Sequence, residues 1–375
     1  MKPSSSLHLD SGRDFGGAQR RVLYLLEGLV ARGHRVLLCS PRSAPLHDRA
    51  AAAGIACQAL TMRSGLDFPS AVRLARLVRD DAFDLVHAHD PQSHSIARAA
   101  QGICHAASLH ANLFVTHHDL AAERSASGHL RDDATGVHHV VSSRHVRDGL
   151  VRRGVDAKRI AVVPNGVDVE RLSASRNAAA HDPWELKSRG MRLVGSVGSL
   201  TREKNPALLL QAFALLRQQI PDVHLLLVGD GPLRSGLQKR ARQLGIADAV
   251  TFGGPMEDTS MVFALLEVFV LSSDIESLCS TALDAMAAGT PVVATAAAGI
   301  LNLVRHGTSA LVVPPRDAES LAQAIALLLR RPDLAQDLVR GGREVAQQHS
   351  VDRMVEATLG AYRELGQFAN GSGNA

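Results

Sequence analysis

The stretch LHLDSGRDFGGAQRRVLYLLEGLVARGHRVLLCS, residues 7–40, decides the fold. Leu7–Leu9 is a short apolar run, and Asp10–Gly17 after it is a polar loop that carries glycines. Val22, Leu25, Leu26, Leu29 and Val30 then recur at helical spacing, and Gly33 ends the helix. Arg35–Ser40 reads as a buried strand. Strand, glycine-bearing loop, helix and strand make one βαβ unit, which places its two strands parallel.

The same rhythm continues in both directions from this unit. Ile55–Leu60, Phe83–Ala88, Leu113–Thr116, Val137–Val141 and Ile160–Val163 read as strands, with helices over Ser70–Val78 and Ser143–Arg153. Ser173–Gly190 is polar, has no clear period and holds the only tryptophan, so it reads as the handover between domains. The rhythm restarts with a strand at Arg192–Val197 and a helix at Pro206–Gln219, and runs on to helices at Ala318–Leu329, Asp333–Gln347 and Asp352–Leu365. The expected class is α/β, with two Rossmann-like, doubly wound domains: residues 1–172 and residues 173–351. A final helix over 352–367 is expected to pack back on the first domain. Ligands of such sheets bind at the carboxyl ends of the strands, so the two domains are expected to face each other across a cleft there.

Composition narrows the function classes. Of 375 residues, 46% are hydrophobic and 21% charged, which suits globular domains and excludes a disordered or collagenous chain. The four cysteines form no Cys-x-x-Cys pair, which points to reduced thiols in the cytoplasm rather than a zinc or disulfide frame. The first ten residues lack a signal-peptide h-region, and no apolar run of about 18 residues could span a bilayer. Aromatic residues are 3%, too few for a base-stacking platform, and no nucleic-acid motif is present, so no nucleic-acid partner is expected. The net charge of +4 lies wholly in residues 1–170, with 21 Lys+Arg against 17 Asp+Glu. Residues 171–375 balance at 20 and 20. Arg144, Arg147, Arg152, Arg153, Lys158 and Arg159 lie close together, either as a solvated face or as a contact for an anionic membrane surface.

Four stretches have chemical potential. Gly16 and Gly17 open a helix, where a ligand can approach free backbone N–H groups. In GSLTREKN, residues 198–205, Arg202 and Lys204 sit just ahead of the helix opened by Pro206 and suit a diphosphate. In SSDIESLCS, residues 272–280, backbone N–H groups at a helix start can hold phosphate oxygens, while Glu276 and Asp284 can accept hydrogen bonds from sugar or ribose hydroxyls. His87 and His89 end one strand, and His117 and His118 the next. A metal there would need a third ligand and an open position, so hydrogen bonding at a cleft is the favoured reading and no metal is expected. Cys279 has no general base beside it in sequence, which argues against a nucleophilic thiol.

Taken in order, these motifs resemble the family-4 retaining glycosyltransferases of the GT-B fold. The segments are GGAQRRVLYLLEGLVARGHRV, DLVHAHD, VVPNGVD, VGSLTREKNPALLLQAF, LLLVGDGP, ESLCSTALDAMAAGTPVVAT and LVVPPRD. The resemblance spans about Leu7 to about Leu365. It implies transfer of a sugar from a nucleotide-diphosphate sugar to a glycan or lipid-linked acceptor, with retention and without a metal or further cofactor. It implies that the second domain holds the donor and the first the acceptor. Lys204 would then neutralise the diphosphate, Glu276 would contact the donor sugar, and Asp284 would take the place of the glutamate that binds ribose. Gly17 would approach the donor phosphate, beside Gly16, and His118 matches the histidine near the sugar. The backbone of Ser277, Leu278, Cys279 and Ser280 would cradle the distal phosphate, with Ser199 and Gly229 completing the donor set. Three positions depart from the family pattern. Ser199 stands where arginine is common, so Arg202 is expected to supply the second charge. Asp284 replaces glutamate, and Asn302 stands where glutamate is common. A sugar-nucleotide epimerase or hydrolase of the same fold, or a non-catalytic sugar-nucleotide-binding protein, are the alternatives. The expected location is the cytoplasm, with peripheral contact on the membrane's cytoplasmic face.

Overall fold

The computed structural model of the protein describes residues 5–106, 112–118, 137–177, 182–276 and 279–370. The chain divides into two compact units, residues 1–166 with 351–375, and residues 167–350.

The first unit is a parallel sheet of β1 (Ser5–Leu9), β2 (Arg35–Ser40), β3 (Ala56–Ala59), β4 (Leu85–Ala88), β5 (Asn112–His117), β6 (Val137–Val141) and β7 (Ile160–Val162). Its order is β3-β2-β1-β4-β5-β6-β7, which reverses direction between β1 and β4. That reversal is the switch point at which doubly wound sheets bind ligands. One face is covered by α1 (Gly17–Ala31), α2 (Pro45–Ala52) and, from the far end of the chain, Val351–Asn370. The other is covered by α3 (Phe68–Asp80) and α4 (Pro91–Ala106). The helix α5 (Arg144–Arg152) packs beside β6 and β7. Caps begin these helices where the sequence offers an acceptor: Asp67 accepts from Ser70 N at 3.2 Å and Ser143 from Val146 N at 3.4 Å.

The second unit opens with α6 (Val169–Asn177) and repeats the order with β8 (Arg192–Val197), β9 (Val223–Val228), β10 (Val250–Gly254), β11 (Val268–Leu271), β12 (Val292–Thr295) and β13 (Leu311–Val313). Its sheet runs β10-β9-β8-β11-β12-β13. The strands VHLLLV, VFVL and VVAT are buried along their whole length, because helices cover both faces. The helices are α7 (Pro206–Gln219), α8 (Arg234–Gln243), α9 (Ser260–Leu265), α10 (Ser280–Ala287), α11 (Ala298–Leu303), α12 (Ala318–Arg330) and α13 (Pro332–Gln348). The chain ends with α14, the Val351–Asn370 helix.

Some boundaries differ from the sequence reading. The units divide between Gly166 and Val167, ahead of the expected 172/173 boundary, because Val167 and Leu172 are buried in the second unit's core with Leu186 and Val262. The handover region itself contains α6, whose polar outer face hides its period. The helix α4 was also missed: Ser93 and His94 are buried on its inward side, where a periodicity reading looks for apolar residues.

Candidate functional site

The second unit assembles its site from two loops at the carboxyl ends of neighbouring strands. The loop after β8 turns into α7 through Asn205, which is left-handed (φ 45°) and caps the helix by accepting from Leu208 N at 3.2 Å. Pro206 then takes the first helical turn, where its missing N–H costs nothing. The loop after β11 turns into α10 through Cys279, also left-handed (φ 47°).

The two loops are stitched together. Ser272 Oγ donates to the carbonyls of Lys204 at 3.0 Å and Asn205 at 3.1 Å. Asp274 N donates to the Glu203 carbonyl at 2.8 Å. Asn205 Nδ2 donates to Asp274 Oδ1 at 3.1 Å, and Arg316 Nε to Asp274 Oδ2 at 3.2 Å. Behind them, Thr295 Oγ1 donates to the Ser273 carbonyl at 2.6 Å.

This stitching brings Lys204 Nζ to 2.6 Å from Glu276 Oε2. Ser273 Oγ donates to the same oxygen at 3.0 Å, and Cys279 N donates to Oε1 at 3.2 Å. The Glu276 side chain is 4% exposed and that of Lys204 35%. A carboxylate buried to this degree needs a cation and hydrogen bonds together, and it has both. The Lys204 side chain stays partly exposed. A pocket beside it is lined by Gly198, Ser199, Leu200, Lys204, Ser272 and Ser273.

Close backbone approaches shape the same edge. A Cβ on Gly229 (φ 129°) would sit 2.0 Å from the Gly198 carbonyl oxygen, and one on Gly299 would sit 2.0 Å from that of Glu276. Ser199 and Arg202 are exposed. Arg202 takes no part in the contacts that hold Lys204 to Glu276. Asp284 is 3% exposed, on the inward side of α10, and Ser280 begins that helix. The Cys279 amide, expected at the distal phosphate, is here engaged by Glu276. Burial pushes the Cys279 thiol up, which keeps it protonated. Ser277 and Leu278 lie outside the described residues.

In the first unit, Gly16 is the N-cap of α1 with φ −117°, a conformation any residue adopts. Among the described residues, a Cβ there would meet Gln19 Oε1 alone, at 3.7 Å. Gly17 is the first helical residue. His118 follows β5 and is half-buried, and desolvation pushes its pKa down to about 3, so the imidazole is neutral at pH 7.

The histidines gather in a way the sequence did not disclose, because strand order decides which of them meet. In the parallel register His8 lies opposite His87. His8 Nδ1 is 3.0 Å from His89 Nε2, while His8 Nε2 is 3.0 Å from Ser6 Oγ. His87 bridges Tyr362 OH at 2.6 Å and Thr116 Oγ1 at 2.7 Å, which ties α14 to the sheet. The ligand atoms of His8, His87 and His89 lie within 4.8 Å of one another, so His8 supplies the third imidazole that the sequence reading lacked. A dication there would face Arg21, 2% exposed, whose positive charge already bears on His87 and His89. Hydrogen bonding among neutral rings suits this environment better.

The same burial has a pH consequence. Desolvation lowers the pKa of His8, His87, His89, His118, His138 and His139 below the ordinary 6.5. Above pH 6.5 both folded and unfolded chains are neutral at these sites. Below it the unfolded chain takes up protons that the folded chain refuses, so stability falls as pH drops toward the folded values, about 3 for His8 and about 4 for His138. Asp10 works the other way: burial, then repulsion from Asp90, raises it to about 7, so its proton favours the folded state between its ordinary 3.8 and 7. One carboxyl group offsets one histidine, and the balance is destabilising at about 1.4 kcal/mol per proton per pH unit. Thermal melts are expected to show the first unit unfolding earlier at about pH 5.5 than at about pH 7.5. An unchanged or higher Tm at the lower pH would contradict this.

Known proteins bear directly on this arrangement. Residues 180–345 match the family described as glycosyl transferases group 1, and residues 15–171 match glycosyltransferase family 4. A D-inositol 3-phosphate glycosyltransferase of Corynebacterium urealyticum is 30% identical over 312 residues, 76% of this chain and 72% of that protein. A phosphatidyl-myo-inositol mannosyltransferase of Mycobacterium leprae is 29% identical over 373 residues, 93% of both chains. Among solved structures, Anabaena Alr3699/HepE in complex with UDP aligns with a TM-score of 0.81 at 20% identity, covering 96% of this chain and 99% of that one. The chain therefore belongs to the family-4 glycosyltransferases, enzymes of the GT-B fold that use nucleotide sugars.

Proposed function

We propose that the protein transfers a hexosyl group from a nucleotide-diphosphate sugar to a glycan or lipid-linked acceptor, with retention of anomeric configuration. The observation that carries this reading is the Lys204–Glu276 pair, a partly exposed lysine on a buried carboxylate at the carboxyl edge of the second unit. Lys204 meets the donor diphosphate, and Glu276, relieved of its cation, accepts from hydroxyls of the donor sugar. Arg202 adds a second positive charge, and Asp284 serves the ribose. The backbone at residues 277–280, with Ser199 and Gly229, completes the donor site. When the bond from the anomeric carbon to the diphosphate oxygen breaks, negative charge grows on that oxygen, and a cation already in place lowers the barrier. The acceptor hydroxyl attacks from the same face, and its proton passes to the leaving phosphate. His118, neutral at pH 7, hydrogen-bonds near the reacting sugar. Gly16 and Gly17, at the start of α1, approach the donor phosphate through their backbone. The mycobacterial relative's name, a phosphatidyl-myo-inositol mannosyltransferase, supports an acceptor with a lipid anchor.

Ligand that binds only the folded state raises its stability, so a thermal-shift panel of UDP-, GDP-, ADP- and TDP-sugars tests the donor site. One donor is expected to raise the Tm of the wild type and not that of Lys204→Ala. Equal shifts in both proteins would remove Lys204 from the donor site. Rapid conversion of the donor to an epimer without any acceptor would favour the epimerase alternative.

A further inference from the structure

We propose that Asp10 and Gln19 are positioning residues, which together hold the glycine loop, residues 11–17, in the shape that presents the start of α1 to the donor phosphate. The proposal rests on the reading that Gly16 and Gly17 approach that phosphate, and it names what sets their place. The loop leaves the sheet at its reversal, between β1 and β4. Two carboxyl groups meet it there, and both turn toward its backbone. Asp90, just beyond β4, accepts from Ser11 N at 2.7 Å and from Ser11 Oγ at 2.6 Å. Asp10, 1% exposed, accepts from Gly12 N at 2.9 Å through Oδ1. These bonds fix the near end of the loop.

The far end is fixed through a side chain of α1. Gln19 Nε2 donates to Asp10 Oδ2 at 3.5 Å, and Gln19 Oε1 accepts from Gly16 N at 3.3 Å. Both bonds are long, but the amide has little room to leave. A Cβ on Gly12 would sit 2.5 Å from Gln19 Nε2 and 2.8 Å from Asp10 Oδ1, so the amide lies directly against Gly12. Gly12 is not left-handed, and the close approach alone calls for glycine there.

The direction of these bonds matters. An ionised Asp10 is an acceptor at both oxygens, so Gln19 must turn its NH₂ group toward it. That leaves the Gln19 carbonyl for Gly16 and sets the orientation of the Gly16 peptide. The first N–H groups of a helix attract anions, and those of α1 have no side-chain cap. Asp10 and Gln19 thus decide where these groups point without touching the ligand themselves. Burial, then repulsion from Asp90, raises the pKa of Asp10 to about 7. Its ionised form is therefore destabilising, and removing the charge should not cost stability. That separates a positioning role from a structural one.

Exchanging the two groups tests the network. The probe is whichever of the UDP-, GDP-, ADP- and TDP-sugars stabilises the wild type most. Asp10→Asn sets one NH₂ group against another, so the Gln19 amide must turn and release Gly16. Its donor Kd, measured by calorimetry at about pH 8, is expected to rise about tenfold, the worth of one hydrogen bond. Its Tm is expected to stay level or rise. Gly12→Ala is expected to weaken the donor in the same way, by pushing the Gln19 amide aside. Asp10→Asn with Gln19→Glu pairs donor with acceptor again at every link, so its Kd is expected to return to within about threefold of wild type. Hydrogen exchange reads the loop with no donor present. The Gly16 N–H is expected to exchange faster in Asp10→Asn and to regain protection in the double variant. A double variant no better than Asp10→Asn would overturn the proposal. So would a Tm that falls in step with affinity, or wild-type exchange at Gly16 in Asp10→Asn. If Gly16 exchange follows the expected pattern while the wild type binds no nucleotide sugar, the network stands and the transferase reading fails.

Discussion

Lys204→Ala is expected to lower kcat/KM about 10²–10³-fold, the usual cost of removing one pre-placed group that stabilises developing negative charge. The fold should persist, because Glu276 keeps its hydrogen bonds from Ser273 Oγ and Cys279 N. Stability should fall as well, by up to about 3 kcal/mol, because Glu276, only 4% exposed, is left charged without its cation. Steady-state kinetics with saturating acceptor separates the two effects. A variant within tenfold of wild type would show that the diphosphate is neutralised elsewhere, with Arg202 the first candidate. Lys204→Arg is expected to recover only part of the loss, because a planar fork does not reproduce a compact ammonium against the same carboxylate.

Gly299→Ala is expected to cost both stability and activity. The added Cβ would fall 2.0 Å from the Glu276 carbonyl oxygen and 2.8 Å from its carbonyl carbon. Both obstacles are backbone, so no side-chain rotation relieves them. Either the start of α11 or the backbone at Glu276 must move, at about 1–3 kcal/mol by the standard of overpacked interiors. For a unit of this size that is several degrees in Tm. Movement of the Glu276 backbone would also displace its carboxylate from Lys204, so kcat/KM should fall with stability. Gly236→Ala is the control: Gly236 lies inside α8 with nothing within 4 Å of the added Cβ, so that variant should be neutral or slightly stabilising. Equal melting temperatures for the two variants would contradict the close approach at Gly299.

These expectations show where sequence reading succeeds and where it stops. Strands such as VHLLLV and the Asn205–Pro206 start of α7 announce themselves, because apolar runs and cap chemistry are local properties. The positions of Lys204 and Glu276 were legible as motif residues, each at the carboxyl end of a strand. Their meeting depends on β8 lying next to β11, which is a property of the whole sheet. Ser272 and Asp274, which hold the two loops together, stood in the SSDIESLCS stretch without a role of their own, and Arg316 was not singled out. Their hydrogen bonds across the loops follow only once the strand order is known. The histidine layer is similar. His87 and His89 were visible as a pair, but His8 joins them only through the parallel register of β1 and β4. Helices with buried polar residues, such as α4, escaped the apolar period altogether.

The central claim is retaining transfer from a nucleotide-diphosphate sugar at Lys204 and Glu276. Its most direct test is the anomeric configuration of the product, read by NMR on the glycoside formed from the donor that stabilises the protein most. An α-linked donor sugar is predicted to give an α-linked product, formed by the wild type and nearly absent with Lys204→Ala. A β-linked product from the same donor would contradict the account.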